Sequence, residues 1–181
     1  MPPAMRFNLH AIVFFAANAL LFFLCSLANS QLAAVSLHLI LLGLMPIAPA
    51  LYLKYPSFLF CSALTGLWVD AGLASSYGLF TCGFPIIGTF IRSVRLRFRD
   101  GTGYRLTLLS HLANFCCIFL LQFNHSLKYF FHPDLWAQLL AITLLSHVIL
   151  HLVASWFFRF ELMLLELLKL EFQADDDFTT P

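Results

Sequence analysis

Between Arg6 and Lys54 the chain runs for 47 residues without a single Asp, Glu, Lys or Arg. A soluble domain carries roughly a quarter charged residues, so an interval of this length has nothing with which to face water. As one helix it would be about 70 Å long, more than twice the roughly 30 Å hydrocarbon core of a bilayer. It must therefore turn back on itself. The next interval, Tyr55 to Ile91, has Asp70 as its one charge and would be about 55 Å long if helical, again two crossings. Composition agrees, with 61% hydrophobic residues, 10% charged and a mean hydropathy of +0.86. The chain reads as an all-α integral membrane protein.

Polar residues place the turns at Asn29-Ser30-Gln31 and within Asp70–Gly78. Six spans result, near Leu9–Ala28, Leu32–Leu53, Pro56–Val69, Tyr77–Ile91, Leu106–Phe123 and Leu135–Phe157. Charge supplies a separate test. With both termini cytoplasmic, Arg6, Lys54, the loop bearing Arg92, Arg95, Arg97, Arg99 and Arg105, then Arg159 and Lys169 all fall inside, leaving Lys128 outside. That distribution obeys the positive-inside rule, whereas fusing the third and fourth spans would put the five arginines outside. The start of the chain resembles a signal peptide, with Arg6 before an apolar stretch and small residues at Ala28-Asn29-Ser30. The stretch is longer than a usual signal core, so an uncleaved first helix is expected.

Residues 1–157 are thus expected to form the transmembrane domain, 158–173 an amphipathic helix and 174–181 an acidic disordered tail containing Asp175-Asp176-Asp177. Pro46 and Pro49 should kink the second span and Pro85 the fourth, because each ring removes a backbone donor. The five cysteines, Cys25, Cys61, Cys82, Cys116 and Cys117, lie in apolar runs without C-x-x-C spacing and read as membrane thiols.

Membrane enzymes need a carboxylate pair, a nucleophile with its base, or clustered Asp and Lys/Arg. None can be assembled here from spacing, and neither G-x-S-x-G nor H-E-x-x-H occurs. No catalytic residue or cofactor is assigned, and nothing points to nucleic acid. His147 and His151, at i and i+4, share a helix face and could be joined by His111, but no carboxylate or cysteine completes a metal set. Hydrogen bonds between helices are the expected role of these imidazoles and of Asn18, Asn114 and Gln138. Asn18, in a first span rich in phenylalanine (Phe14, Phe15, Phe22, Phe23), is also the candidate for contact with a partner helix. The basic loop is the candidate for anionic lipid or a cytoplasmic partner. Asp70 reads as a cap on the hairpin turn or as a partner contact.

Pro46, then Gly66-Leu67-x-x-Asp70, then Gly78-Leu79 before a short apolar helix ending in arginines, form a pattern that resembles the rod shape-determining protein MreD family. The resemblance covers under a third of the chain. It implies a non-enzymatic inner-membrane component of the bacterial elongation machinery that binds the MreC scaffold, beside MreB, a class B penicillin-binding protein and a SEDS glycosyltransferase. It also implies a bundle similar to the substrate-binding S subunits of energy-coupling factor vitamin transporters, which is the alternative function. Those subunits usually carry A-x-x-x-A in the first span, whereas Ala11, Ala16, Ala17 and Ala19 never stand four apart.

Overall fold

The computed structural model describes residues 3–73, 78–94, 103–129 and 133–167, with side chains for 9–73, 78–94, 104–122 and 136–167. Six α-helices carry the described chain: α1 (Pro3–Leu32), α2 (Ile47–Tyr52), α3 (Tyr55–Gly72), α4 (Leu79–Ser93), α5 (Gly103–Tyr129) and α6 (Pro133–Leu167). No strand occurs among the described residues. Three helices are long and apolar enough to cross a membrane, through Leu9–Val35, Tyr104–Gln122 and Trp136–Leu167.

The exterior says what surrounds the protein. Phe23, Phe60, Ile86, Phe90, Leu140, Leu144, Leu152 and Trp156 all lie exposed, while Phe14, Phe58, Phe80, Phe84 and Phe157 fill the interior with Leu44, Ile47 and Leu150. A protein apolar both inside and out suits lipid. Burial of apolar surface then gives little drive to helix association, and close backbone approach and internal hydrogen bonds must supply it.

Both show at α3. Its buried face is made of small and polar residues, Ser57, Cys61, Ser62, Thr65, Gly66 and Asp70. That face lets α3 pack most extensively on α4 and next on α1. At Gly66 a Cβ would strike the Phe80 carbonyl and the Thr81 nitrogen, so only glycine permits this crossing. Gly43 is pressed in the same way against the backbone of Asn114 on α5.

The structure corrects the second span. Instead of a continuous helix over Leu32–Leu53, a 3₁₀ turn at Ala33–Val35 leads into non-helical chain at 36–41, a second 3₁₀ turn at Leu42–Leu44, and then the six-residue α2. The turn expected at Asn29-Ser30-Gln31 is also displaced. Helix α1 runs through it, with the Ser30 hydroxyl turned back onto the Leu27 carbonyl within the helix, and the chain turns at Ser36 (φ 56°). There Leu37 N–H reaches Leu32 O and Ser36 N–H reaches Ala33 O, closing a Schellman motif with serine where glycine is usual. Pro46 and Pro49 do not kink a helix but start one, Pro46 standing just before α2. Pro85 lies within an unbroken α4.

At the boundary expected between 157 and 158 the backbone shows no break. Helix α6 continues to Leu167, with Glu161 and Leu165 buried in the bundle. The remainder of the expected amphipathic helix and the acidic tail lie outside the described residues. Of the cysteines, Cys25, Cys61 and Cys117 are buried, Cys82 and Cys116 are exposed, and all five are free thiols.

Candidate functional site

Backbone that leaves the regular α-helix inside a packed bundle must find its hydrogen bonds elsewhere in the protein. Segment 36–45 does so through side chains from three helices. Asn29 of α1 takes both backbone groups of Leu39, accepting its N–H on Oδ1 (2.6 Å) and donating Nδ2 to its carbonyl (3.0 Å). Asn114 of α5 donates Nδ2 to Ile40 O (2.9 Å) and accepts Gly43 N–H on Oδ1 (3.0 Å). Ser146 of α6 accepts Ile40 N–H at 3.0 Å. Gln138 of α6 donates to Ser36 O at 2.8 Å, and Asn18 of α1 donates to Met45 O at 3.1 Å. The carboxamides thus bond to backbone, where the sequence suggested contacts between helices.

A second polar centre lies at the α3–α4 corner. Asp70 accepts the N–H of Phe80 on Oδ1 (3.0 Å), and on Oδ2 the N–H of Gly78 (3.1 Å) and of Thr81 (2.9 Å) and the Thr81 hydroxyl (2.7 Å). These are the free donors of the first turn of α4, where a carboxylate also meets the positive end of the helix dipole. Gly78 is the left-handed residue before that helix (φ 92°). Asp70 thus caps the hairpin turn, one of the two roles open to it, and Gly66 and Gly78 lie at the same corner. Leu67 faces outward at 55% exposure, Leu79 is half-buried, and Pro46 lies apart, buried before α2.

At the other end of the bundle Arg92 donates Nη1 to Leu53 O (2.6 Å) and Ala50 O (3.4 Å), and its guanidinium lies 5.7 Å from the centre of the Tyr55 ring. It thus caps the C-terminal carbonyls of α2 instead of extending toward lipid. Arg105 is exposed at the start of α5. Arg95, Arg97 and Arg99 lie outside the described residues.

Asn18 is corrected as a partner contact. It is fully buried, its amide is committed to Met45, and its Oδ1 has no hydrogen-bond partner among the described residues. Of the first-span phenylalanines, Phe14 is in the core, Phe22 packs against Gly72, and Phe23 faces out at 57% exposure.

The sequence reading missed Glu161, assigned beyond the sixth span. Its carboxyl is fully buried, and neither oxygen has a hydrogen-bond partner among the described residues. The signal was present in the sequence. Phe157, Phe158, Glu161 and Leu165 follow Leu150 and Ala154 at helical spacing, so the buried stripe of the sixth span runs on through the glutamate.

This geometry holds backbone and helix ends, and the described residues form a helical bundle with an unwound segment at 36–41 and three helices long and apolar enough to cross a membrane. No protein-family model, curated protein or solved structure matches the chain.

Proposed function

We propose that this chain is an MreD-type component of a bacterial cell-elongation complex: a six-span inner-membrane protein that catalyses no reaction and acts by binding an MreC-like single-span partner. The observation that carries this reading is the α3–α4 corner. Of the residues that suggested the family, Asp70 and Gly78 are hydrogen-bonded together with Phe80 and Thr81, and Gly66 packs against the backbone of the same two residues. A pattern maintained by such a unit is a feature of fold, as expected for a scaffold protein.

Hydrogen bonds between segment ends support six crossings. Asn29 near the end of α1 meets Leu39, early in the second segment, and Gln138, early in α6, meets Ser36. Leu53 at the close of the second segment meets Arg92 at the close of α4, while Asp70 meets Gly78 at the opposite end of α3. Alternating up and down segments satisfy these pairings, and the basic residues then orient both termini toward the cytoplasm.

The test is purification from native membranes together with depletion. Recovery of an MreC-like single-span protein, with a class B penicillin-binding protein and a SEDS glycosyltransferase, is expected, and depletion should round rod-shaped cells. Recovery of an energy-coupling ATPase module, or tight binding of a vitamin, would replace this reading with the transporter alternative.

A further inference from the structure

Ile40 is held from two helices at once. Its N–H goes to the Ser146 hydroxyl of α6 at 3.0 Å, and its carbonyl accepts from the Asn114 amide of α5 at 2.9 Å. Good N–H···O bonds span only about 2.7–3.2 Å, so a small widening between α5 and α6 weakens one of the two. The unwound segment therefore depends on how closely these helices stand.

Three imidazoles sit at the same level of that contact. His111 precedes Asn114 by one turn of α5, and His147 follows Ser146 directly on α6, with His151 a turn further on. The His111 ring lies 5.2 Å from that of His147 and 5.7 Å from that of His151, at interplanar angles of 12° and 20°. Its Nε2 is hydrogen-bonded to His151 Nδ1 at 3.5 Å. His147 Nδ1 lies 2.9 Å from the Thr143 carbonyl. A carbonyl only accepts, so that nitrogen already carries a proton, and a further one can enter the ring only at Nε2.

Such a stack responds to the number of protons it holds. In the neutral state the His111–His151 bond has one donor and one acceptor, and a single added proton still leaves an acceptor. A second proton either sets two N–H groups face to face or charges His147 in the same stack, and like charges this close repel. The groups acting on His111 are His147 and His151 themselves. Of the elements packed against α5 and α6, α1 carries His10 and Cys25, α4 carries Cys82 and Arg92, and the 3₁₀ turn at Leu42–Leu44 carries no titratable group. His38 is exposed on the unwound segment, and Tyr104, Arg105, Cys116 and Cys117 share α5 with His111. On α6 the nearest carboxylate along the helix with a described side chain is Glu161, about 15 Å beyond His151, too far to neutralise a second charge. Arg105 and Arg159 stand about 9–12 Å along the helices from His111 and His151, which is the side from which protons arrive.

We propose that the His111–His147–His151 stack is a proton-operated latch on the unwound segment. With no more than one added proton it keeps α5 and α6 together and Ile40 clamped. The second proton parts the helices and frees Ile40 with its neighbours, so the clamp is closed at higher pH and opens as pH falls. This proposal stands independently of the partner-binding reading.

Hydrogen exchange of the full-length protein in detergent, read by mass spectrometry and corrected for the intrinsic pH dependence of exchange, tests the latch. Protection across 36–45 should fall at least about 10-fold between about pH 7.5 and about pH 5, the range in which imidazole takes up its proton, while α3 and α4 keep theirs. The His111→Phe/His151→Phe double variant keeps stacked rings that take no proton, and its protection should be the same at both ends of the range. His38→Gln should respond like the parent. Protection that does not change with pH in the parent, a fall shared equally by α3 and α4, a fall undiminished in the double variant, or a response lost in His38→Gln would each overturn the proposal. If the double variant melts too low to study, His111→Gln, which still hydrogen-bonds, takes its place, and a parent-like fall there counts against the latch equally.

Discussion

The carboxamide of Asn29 pairs with both backbone groups of Leu39, accepting its N–H and donating to its carbonyl, as a neighbouring strand would. One side chain thus replaces two helical hydrogen bonds at the point where the chain leaves regular structure. Asn114 does the same for Ile40 and Gly43 from another helix. Leaving a buried backbone group unpaired costs about 1–3 kcal/mol. Asn114→Leu, which orphans two, should destabilise the protein by about 2 kcal/mol or more. Asn114→Asp, which keeps the acceptor for Gly43 but buries a carboxyl against the Ile40 carbonyl, should cost at least as much. Thermal unfolding in detergent measures both, and equal melting of Asn114→Leu and the parent would refute the role of the clamp.

Asp70 makes a sharper case, because all four of its contacts are donors facing a carboxylate. Asp70→Asn conserves shape but must turn an NH₂ toward some of them. It should therefore destabilise nearly as much as Asp70→Ala, by about 1–3 kcal/mol. If Asn substitutes freely in a melting assay, the charge and the acceptor count at this corner do not matter.

Gly66 and Gly83 provide a paired comparison within one helix hairpin. A methyl group at Gly66 collides with backbone, whereas one at Gly83 meets the Leu120 side chain at an ordinary 3.5 Å. Gly66→Ala should cost about 1–3 kcal/mol as overpacking and lower the yield of folded protein. Gly83→Ala should be near neutral on a size-exclusion and melting comparison.

Glu161 leads to the opposite expectation. A buried carboxyl without hydrogen-bond partners is costly, and replacing such a group by an apolar one of similar size is often neutral or stabilising. Glu161→Met should therefore melt at or above the parent temperature. A large fall would mean that the carboxyl is bonded in the membrane-embedded protein.

The orientation of the basic loop is open to direct chemistry. A cysteine at Thr102, outside the described residues, should resist an impermeant thiol reagent in intact cells and react after lysis. Labelling of intact cells would reverse the orientation given to the arginines.

The charge-free intervals made membrane embedding, helicity and the Asp70 hairpin legible, since length and charge are properties of the local chain. The unwinding of 36–45 was not. From Ala4 to Leu42 the sequence holds no glycine or proline, and nothing within the stretch itself marks Ser36 as an end. The cause lies in Asn29, Asn114, Gln138 and Ser146, whose amides and hydroxyl compete successfully for backbone that would otherwise be helical. Asn18 was read both as a hydrogen bond within the bundle, which its bond to Met45 matches, and as a contact for a partner helix, which its burial does not allow. Glu161 was lost to an assumption about where the last span stops, although the periodic burial of α6 crosses that boundary without change.

The clamp on segment 36–45 has a temporal side. Its bonds join residues separated in the chain by 74, 102 and 106 positions. During synthesis the first two segments leave the ribosome long before α5 and α6 exist, so Ile40 and Ser36 emerge ahead of the groups that will bind them. A nascent chain has one inexpensive remedy, to keep this stretch helical through its own peptide bonds and surrender the helix once the last pair arrives. Truncation after α4 should then trap a biogenesis intermediate with more helix around residue 40 than the finished protein has.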